Sequence, residues 1–534
     1  MKKQLRTRRS ILEIQRDYEH GTKKPLEDLM RAWRGIKELA PDDPRSFFML
    51  GGFHGEPFRG PGETDVAYWG GYCMHGNVLF PTWHRVYLYK LEQALQSIPG
   101  CADVMLPYWD ETDEYSLAHG IPSCLTDEKF MLDGVSINNP LRSFTFPVTI
   151  IDQINGSPYT KPKGYETVRF PLSGLVGTPE EAAQSEAYNK TFSGPERLQY
   201  LNQNVVEWLS DKGTDPKRPM LTVNDLYKMC LTAPNYTVFS NTTSFAKYNY
   251  DNPENLVQTL EQPHNDVHIS VGGPNRTVTP PVTDANGDMG DNETAGLDPI
   301  FYFHHCNVDR MFWLWQKQNG FTNHLDIIAG YPGTKASDSQ GPTPGYQMNS
   351  EFSLKSPLYP FAKNGELLYP YAPHKPSDVY TSDDCINIET QLHFTYSLGS
   401  LEKPVTPLAK EMMTTPIPIN SRNSRKQLFV TDINRGDING SFIIAAYIIL
   451  DGKRELLGYH SVLSRKNVRG CPNCLTHLDV VASFKLNNYT DEQVEKATFD
   501  VEVRAKQAEN EKVLEKFSAA GLAVAATPYK LEVR

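Results

Sequence analysis

The chain has 534 residues, 39% of them hydrophobic and 22% charged, with a net charge of -11. That length exceeds one ordinary core and predicts about two or three folded units. The acidic balance gives a nucleic-acid partner no electrostatic support, and no stretch reaches the roughly 20 apolar residues of a membrane span.

The basic start "MKKQLRTRR" runs into "SILEIQRDYEHG", which lacks the apolar core of a secretory signal, so a cytoplasmic protein is expected. Residues 8–40 read as helix, with Trp33, Ile36 and Leu39 on one stripe and "APDDP" as the stop. "FFMLGGFHGEPF" sets His54 between glycines, and "GGYCMHG" sets Cys73 two residues before His75. "PTWHRVYLYKLEQALQSI" reads as a second helix, with Pro81 near its start and Gly100 past its end. On it His84, Leu88, Leu91 and Leu95 share one face. Residues 110–250, rich in Gly, Pro, Asn and Ser, read as long loops.

"NPENLVQTLEQPHNDVHISVGG" begins with helical phase: Val257, Leu260, His264 and His268 fall on one side, and Pro263 either kinks that helix or starts a new one. "LDPIFYFHHCNVDRMFWLWQKQNG" is a strong helix closed by Gly320. His305, Val308, Phe312 and Trp315 share its buried face, while His304 points elsewhere. Past residue 395 the pattern changes. Residues 401–425 carry several prolines and little periodicity, as a linker does. Residues 426–534 hold short strand-like runs such as "QLFVTDI" and "FIIAAYIIL", separated by turns, which predicts an all-β sandwich.

A single histidine on a core stripe is ordinarily a satisfied core residue. Several such rings aimed inward from different helices are costly unless something unites them, and a metal does. Imidazole suits Zn, Cu, Fe and Ni. No HExxH supplies the glutamate of a zinc hydrolase, and Asp266 falls on the far side of its helix from His264 and His268. A donor set of neutral imidazoles without carboxylates fits copper. His75, His84, His264, His268 and His305 make five, and His54 is the natural sixth.

"HGNVLFPTWHRVYLYKLE" and "DPIFYFHHCNVD" resemble the two signature motifs of the type-3 copper proteins: tyrosinases, catechol oxidases and haemocyanins. "FHGEPF" resembles the first-ligand segment of fungal-type tyrosinases, "HNDVH" the start of their second copper site, and "HFTY" the motif that closes their catalytic core. The resemblance covers about residues 8–400. It implies a mainly α catalytic domain over 1–400, a four-helix bundle around two copper ions with O2 as co-substrate. Copper A would be held by His54, His75 and His84, and copper B by His264, His268 and His305. It further implies a thioether between Cys73 and His75, which would fix that ring.

The implied activity is ortho-hydroxylation of small phenols and oxidation of catechols to quinones, as in melanin formation. Glu261 and Asn265 match the pair that holds an activating water, and Phe301 and Ile269 belong to the substrate pocket. Asp309 and Arg310 are expected to be structural. Cys471 and Cys474 ("CPNC") read as a redox pair, half a zinc site or a copper(I) site. The resemblance favours copper loading within a C-terminal cover domain, with His477 nearby. Such a domain inserts a plug, for which Tyr459, Val462 and Leu463 qualify, and the chain would then be a latent proenzyme. Three alternatives stay open: a catechol oxidase, an o-aminophenol oxidase, and an O2 carrier like haemocyanin. The sequence sets no oligomeric state, and a homo-oligomer is compatible with it.

Overall fold

Three helices buried almost all round fix the centre of the molecule. In the computed structural model, α4 (Phe80–Gln96), α8 (Glu261–Gly272) and α9 (Ile300–Asn319) bury nearly every side chain, α9 as far as Gln316. A helix without a solvent face belongs in the interior. The structure describes residues 5–55, 71–151, 159–255, 257–273, 286–338, 346–347, 349–366, 378–402, 424–438, 440–464, 479–505 and 529–534.

At the N-terminus a short strand, β1 (Arg6–Arg8), precedes α1 (Ile11–Glu19), α2 (Lys24–Glu38) and α3 (Phe47–Gly52). The expected single helix over 8–40 is thus broken. Gly21 takes a φ of 98°, a left-handed conformation no helix continues through. α2 packs on α4, and α4 and α8 both pack on α9.

Residues 110–250 are not mainly loop. They form α5 (Gly194–Ser210), α6 (Val223–Cys230) and α7 (Thr242–Asp251), besides a helix over Pro179–Asn189 and shorter ones. Capping boxes at Ser193/Glu196 and Thr222/Asp225 start α5 and α6, and Leu201, Val205 and Trp208 give α5 a buried stripe. These local signals sit among polar residues that mask the period. Residues 257–260 are not helical either. α8 begins at Glu261 with Pro263 in its first turn, where its missing N–H costs nothing.

β1 pairs in parallel with β2 (Phe394–Tyr396), and buried charge locks this closure to the bundle. The Arg8 guanidinium donates to Glu92 (2.9 Å) and to the Tyr396 hydroxyl (2.9 Å), which donates to Asp309 (2.5 Å). Arg85 donates to the other Asp309 oxygen (2.5 Å). Arg310 donates to Asn307 and Glu402. Asp309 and Arg310 therefore tie elements together.

The C-terminal region contains β3 (Gln427–Asn434), β4 (Phe442–Leu450), β5 (Lys453–Val462), β6 (Asp479–Lys485), β7 (Thr498–Ala505) and β8 (Lys530–Val533). They form two antiparallel sheets, ordered β5-β4-β7 and β6-β3-β8, around a separate apolar core that includes Val430, Ile444, Ile448 and Val503. β5 packs directly on α8. Most of the expected linker, and Cys471, Cys474 and His477, lie outside the described residues. No described helix is long and apolar enough to cross a membrane.

Candidate metal centre

Six imidazoles from four segments meet in one buried volume. His54 follows α3, His75 sits in the turn before α4, His84 lies on α4, His264 and His268 lie one turn apart on α8, and His305 lies on α9. All six are essentially inaccessible to solvent. Close backbone approach brings α3 in: Gly51 lies against Gly296, where a Cβ would meet the facing carbonyl at 2.6 Å.

Most of these rings have Nδ1 anchored. His54 Nδ1–H donates to the Asn292 carbonyl (3.2 Å), His84 to Phe80 (2.8 Å) and His268 to Met289 (2.9 Å), while His264 donates to Asn265 Oδ1 (3.0 Å). His75 Nδ1 faces Cys73 Sγ at 3.4 Å. A ring whose Nδ1 keeps the proton presents Nε2 as a bare lone pair, the form a metal takes. The Nε2 atoms respond accordingly. His305 Nε2 lies 3.1 Å from that of His264 and 3.2 Å from that of His268. His54, His84 and His305 also bring ligand atoms within 4.8 Å of one another.

Burial, followed by the neighbouring imidazoles, holds His264 and His305 well below the ordinary histidine pKa, and burial does the same to His268. Burial brings His84 down to about 3. Neutral rings aiming lone pairs at each other across about 3 Å repel in a dry interior. A cation among them turns that repulsion into coordination, and the separations suit ligand nitrogens about 2 Å from one ion. The described residues thus fit a metal, and their all-nitrogen donor set fits copper.

Phe301 stacks on His305 (centroids 4.0 Å) and meets His54 edge-on (4.7 Å). Ile269, next to His268, is fully buried. Glu261 opens α8, and its carboxylate accepts from Gly76 N–H (2.8 Å), Thr242 N–H (2.8 Å) and the Thr242 hydroxyl (3.0 Å). It therefore bridges the His75 turn to the helix that carries His264. Burial raises its pKa; the two backbone bonds, the Thr242 hydroxyl and the Arg435 cation oppose that rise.

Strand β5 of the C-terminal region reaches this helix from outside. The Ser461 hydroxyl donates to Asp266, and Gln262 donates to the Ser461 carbonyl (3.2 Å). Tyr459 lies near Trp208 of α5 (6.2 Å), Val462 belongs to the core between the two sheets, and Leu463 is fully buried.

Sequence reasoning missed the anchors. Met289 and Asn292 act through main-chain carbonyls, which carry no side-chain signal. It also missed Glu111, a fully buried carboxylate 2.6 Å from His304 Nδ1. "PYWDET" offered only an acid in an apolar stretch.

Comparison with known proteins agrees with this geometry. Residues 44–318 match the common central domain of tyrosinase. The chain is 51% identical over 528 residues to the tyrosinase HcTyr2 of Hahella sp. (strain CCB-MM4), covering 94% of this chain and 92% of that protein. It is 40% identical over 494 residues to a tyrosinase of Aspergillus oryzae (strain ATCC 42149 / RIB 40), covering 86% and 87%. A solved tyrosinase of Burkholderia thailandensis superimposes with a TM-score of 0.85 at 51% identity, over 99% of this chain and all of that one.

Proposed function

The chain belongs to the tyrosinase family, and from that premise we propose how its residues divide the work. It is a dicopper oxidoreductase that oxidises small phenols. In our reading His54, His75 and His84 hold copper A, and His264, His268 and His305 hold copper B. The observation that carries this is the set of inward lone pairs: buried neutral rings, most with Nδ1 anchored. The bound copper pair supplies the electron exchange with O2 that hydroxylates a phenol beside its hydroxyl and draws two electrons from a catechol.

The protein's own residues hold the ring and move protons. Phe301, lying over His305 and His54, offers an apolar surface at the centre. A phenol with a pKa near 10 keeps its proton at neutral pH and needs a base. A carboxylate has about four lone-pair positions, and three protein donors reach Glu261. The remaining position, with the Asn265 amide, holds a water through which the hydroxyl proton leaves. This pair favours monophenol chemistry over catechol oxidation alone. Cys73 and His75 form the thioether, and the Cys471–Cys474 pair loads copper. The β-domain acts as a cover, supported by the Ser461–Asp266 contact on α8.

The test is an assay of copper-loaded protein on L-tyrosine and L-DOPA, before and after proteolysis within 403–423. Tyrosine turnover that rises on cleavage is the expected result. Turnover of L-DOPA alone would reduce the reading to a catechol oxidase. Reversible O2 binding with neither turnover would leave a carrier.

A further inference from the structure

Glu111 has no place in the reading above, yet it is fully buried. A carboxylate is placed there at a cost unless its oxygens are satisfied. Its partners come from two helices. Oε1 lies 2.6 Å from His304 Nδ1, while Oε2 accepts from the Tyr227 hydroxyl of α6 (2.6 Å) and from the Asn307 amide of α9 (3.2 Å). The segment that carries Glu111 is itself pinned to α9 by the Trp109 N–H bond to the Phe303 carbonyl (3.0 Å).

The ring at the other end of this contact touches all three imidazoles assigned to copper B. His304 stacks on His264 (centroids 5.3 Å, planes 21° apart), meets His268 edge-on (5.1 Å, 86°) and lies 5.1 Å from His305. Its Nε2 is buried without a well-formed hydrogen bond, and the His264 main chain is near enough to act on the ring. Ligand atoms of His264, His268, His304 and His305 all lie within 4.8 Å of one another.

We propose that Glu111 and His304 are a positioning pair for copper B: Glu111 fixes the plane and tautomer of His304, and His304 is the wall on which His264 and His268 rest. This rests on the assignment of His264, His268 and His305 to one copper. Carboxylates behind imidazoles set ring orientation at metal sites in general. Here the carboxylate acts one ring further out. That explains why the first histidine of "HH" is buried against the copper-B imidazoles, although helical phase predicted that it points elsewhere. It also gives Tyr227, on a helix remote in sequence, a role in holding the site.

The experiment measures copper per chain, and the affinity for each copper by chelator competition, in the full-length protein. Wild type is compared with Glu111→Gln, His304→Phe and His264→Ala. Wild type should bind two coppers and His264→Ala should lose one; failure there removes the underlying assignment, not the pair. Given that result, Glu111→Gln and His304→Phe should keep one copper at wild-type affinity and hold the second about 10–100-fold more weakly. Equal weakening of both sites would mean general destabilisation and overturn the proposal, as would two coppers at wild-type affinity in both variants. X-ray absorption of wild type and His304→Phe adds a second check. A nitrogen lost from the copper-B shell would make His304 a ligand and overturn the positioning role. Should His304→Phe not fold, the near-isosteric Glu111→Gln decides by the same selectivity.

Discussion

Glu261→Gln separates chemistry from architecture at the heart of the site. Glu261 accepts from two backbone N–H groups, of Gly76 and Thr242, with one oxygen each. A glutamine has one oxygen and one NH2 group. Turned either way, it sets its NH2 against a backbone N–H and leaves that donor without an acceptor. The Thr242 hydroxyl can rotate and adapt, but the amides cannot. A buried unsatisfied donor costs about 1–3 kcal/mol, and denaturant unfolding should show a loss of that size. The kinetic effect is of another kind. A positioned base contributes about 10²–10⁴-fold, so tyrosine hydroxylation should fall at least ~100-fold while L-DOPA oxidation falls far less. Both rates are to be measured on copper-loaded, proteolysed protein, with copper content checked. An equal fall on both substrates would refute Glu261 as the base and leave it a clamp between the His75 turn and α8.

Three further outcomes follow from the same contacts. Ser461→Ala removes a hydrogen bond to the buried Asp266 carboxylate, worth about 1.5–3 kcal/mol. Catechol oxidation by the uncleaved chain should rise about 10- to 150-fold, while the cleaved form stays unchanged; no rise would show that this contact does not hold the cover. Metal-free protein should lose stability in acid. His84 and His304 are depressed to about 3 from 6.5, and His264, His268 and His305 well below it. Stability that depends on neutral rings is complete above about 6.5 and drains as pH falls toward 3, by up to about 1.4 kcal/mol per pH unit for each ring. Glu111 and Glu261, raised by burial, act in the opposite sense but are fewer. Unfolding free energies at pH 7 and pH 5 that agree would contradict this. Finally, mass spectrometry of copper-loaded protein should find the peptides of Cys73 and His75 joined and lighter by two hydrogens, with O2 taking the electrons. Cys73→Ser should abolish the link.

Helical phase made much of this centre legible. The period of an α-helix is fixed by its own hydrogen bonds. His84 with Leu88, Leu91 and Leu95, the one-turn spacing of His264 and His268, and the stripe from His305 to Trp315 therefore announced inward imidazoles before any fold was known. The switch to strand-like runs past residue 426 was equally local, since alternation and turn residues act over a few positions. Tertiary structure decided what local order does not encode. The anchors at Met289 and Asn292 are main-chain carbonyls, identical in every residue. Glu111 meets His304 across 193 positions of chain, and Glu261 meets Gly76 across 185. The helices between 179 and 251 hid because their caps and short stripes sit in polar sequence, and α5 and α6 are secured by packing on α8. The sequence by itself chose six imidazoles and the inward faces of His84, His264, His268 and His305; that His304 joins them instead of pointing elsewhere, what lies behind it, and which atoms hold each ring were settled by long-range packing.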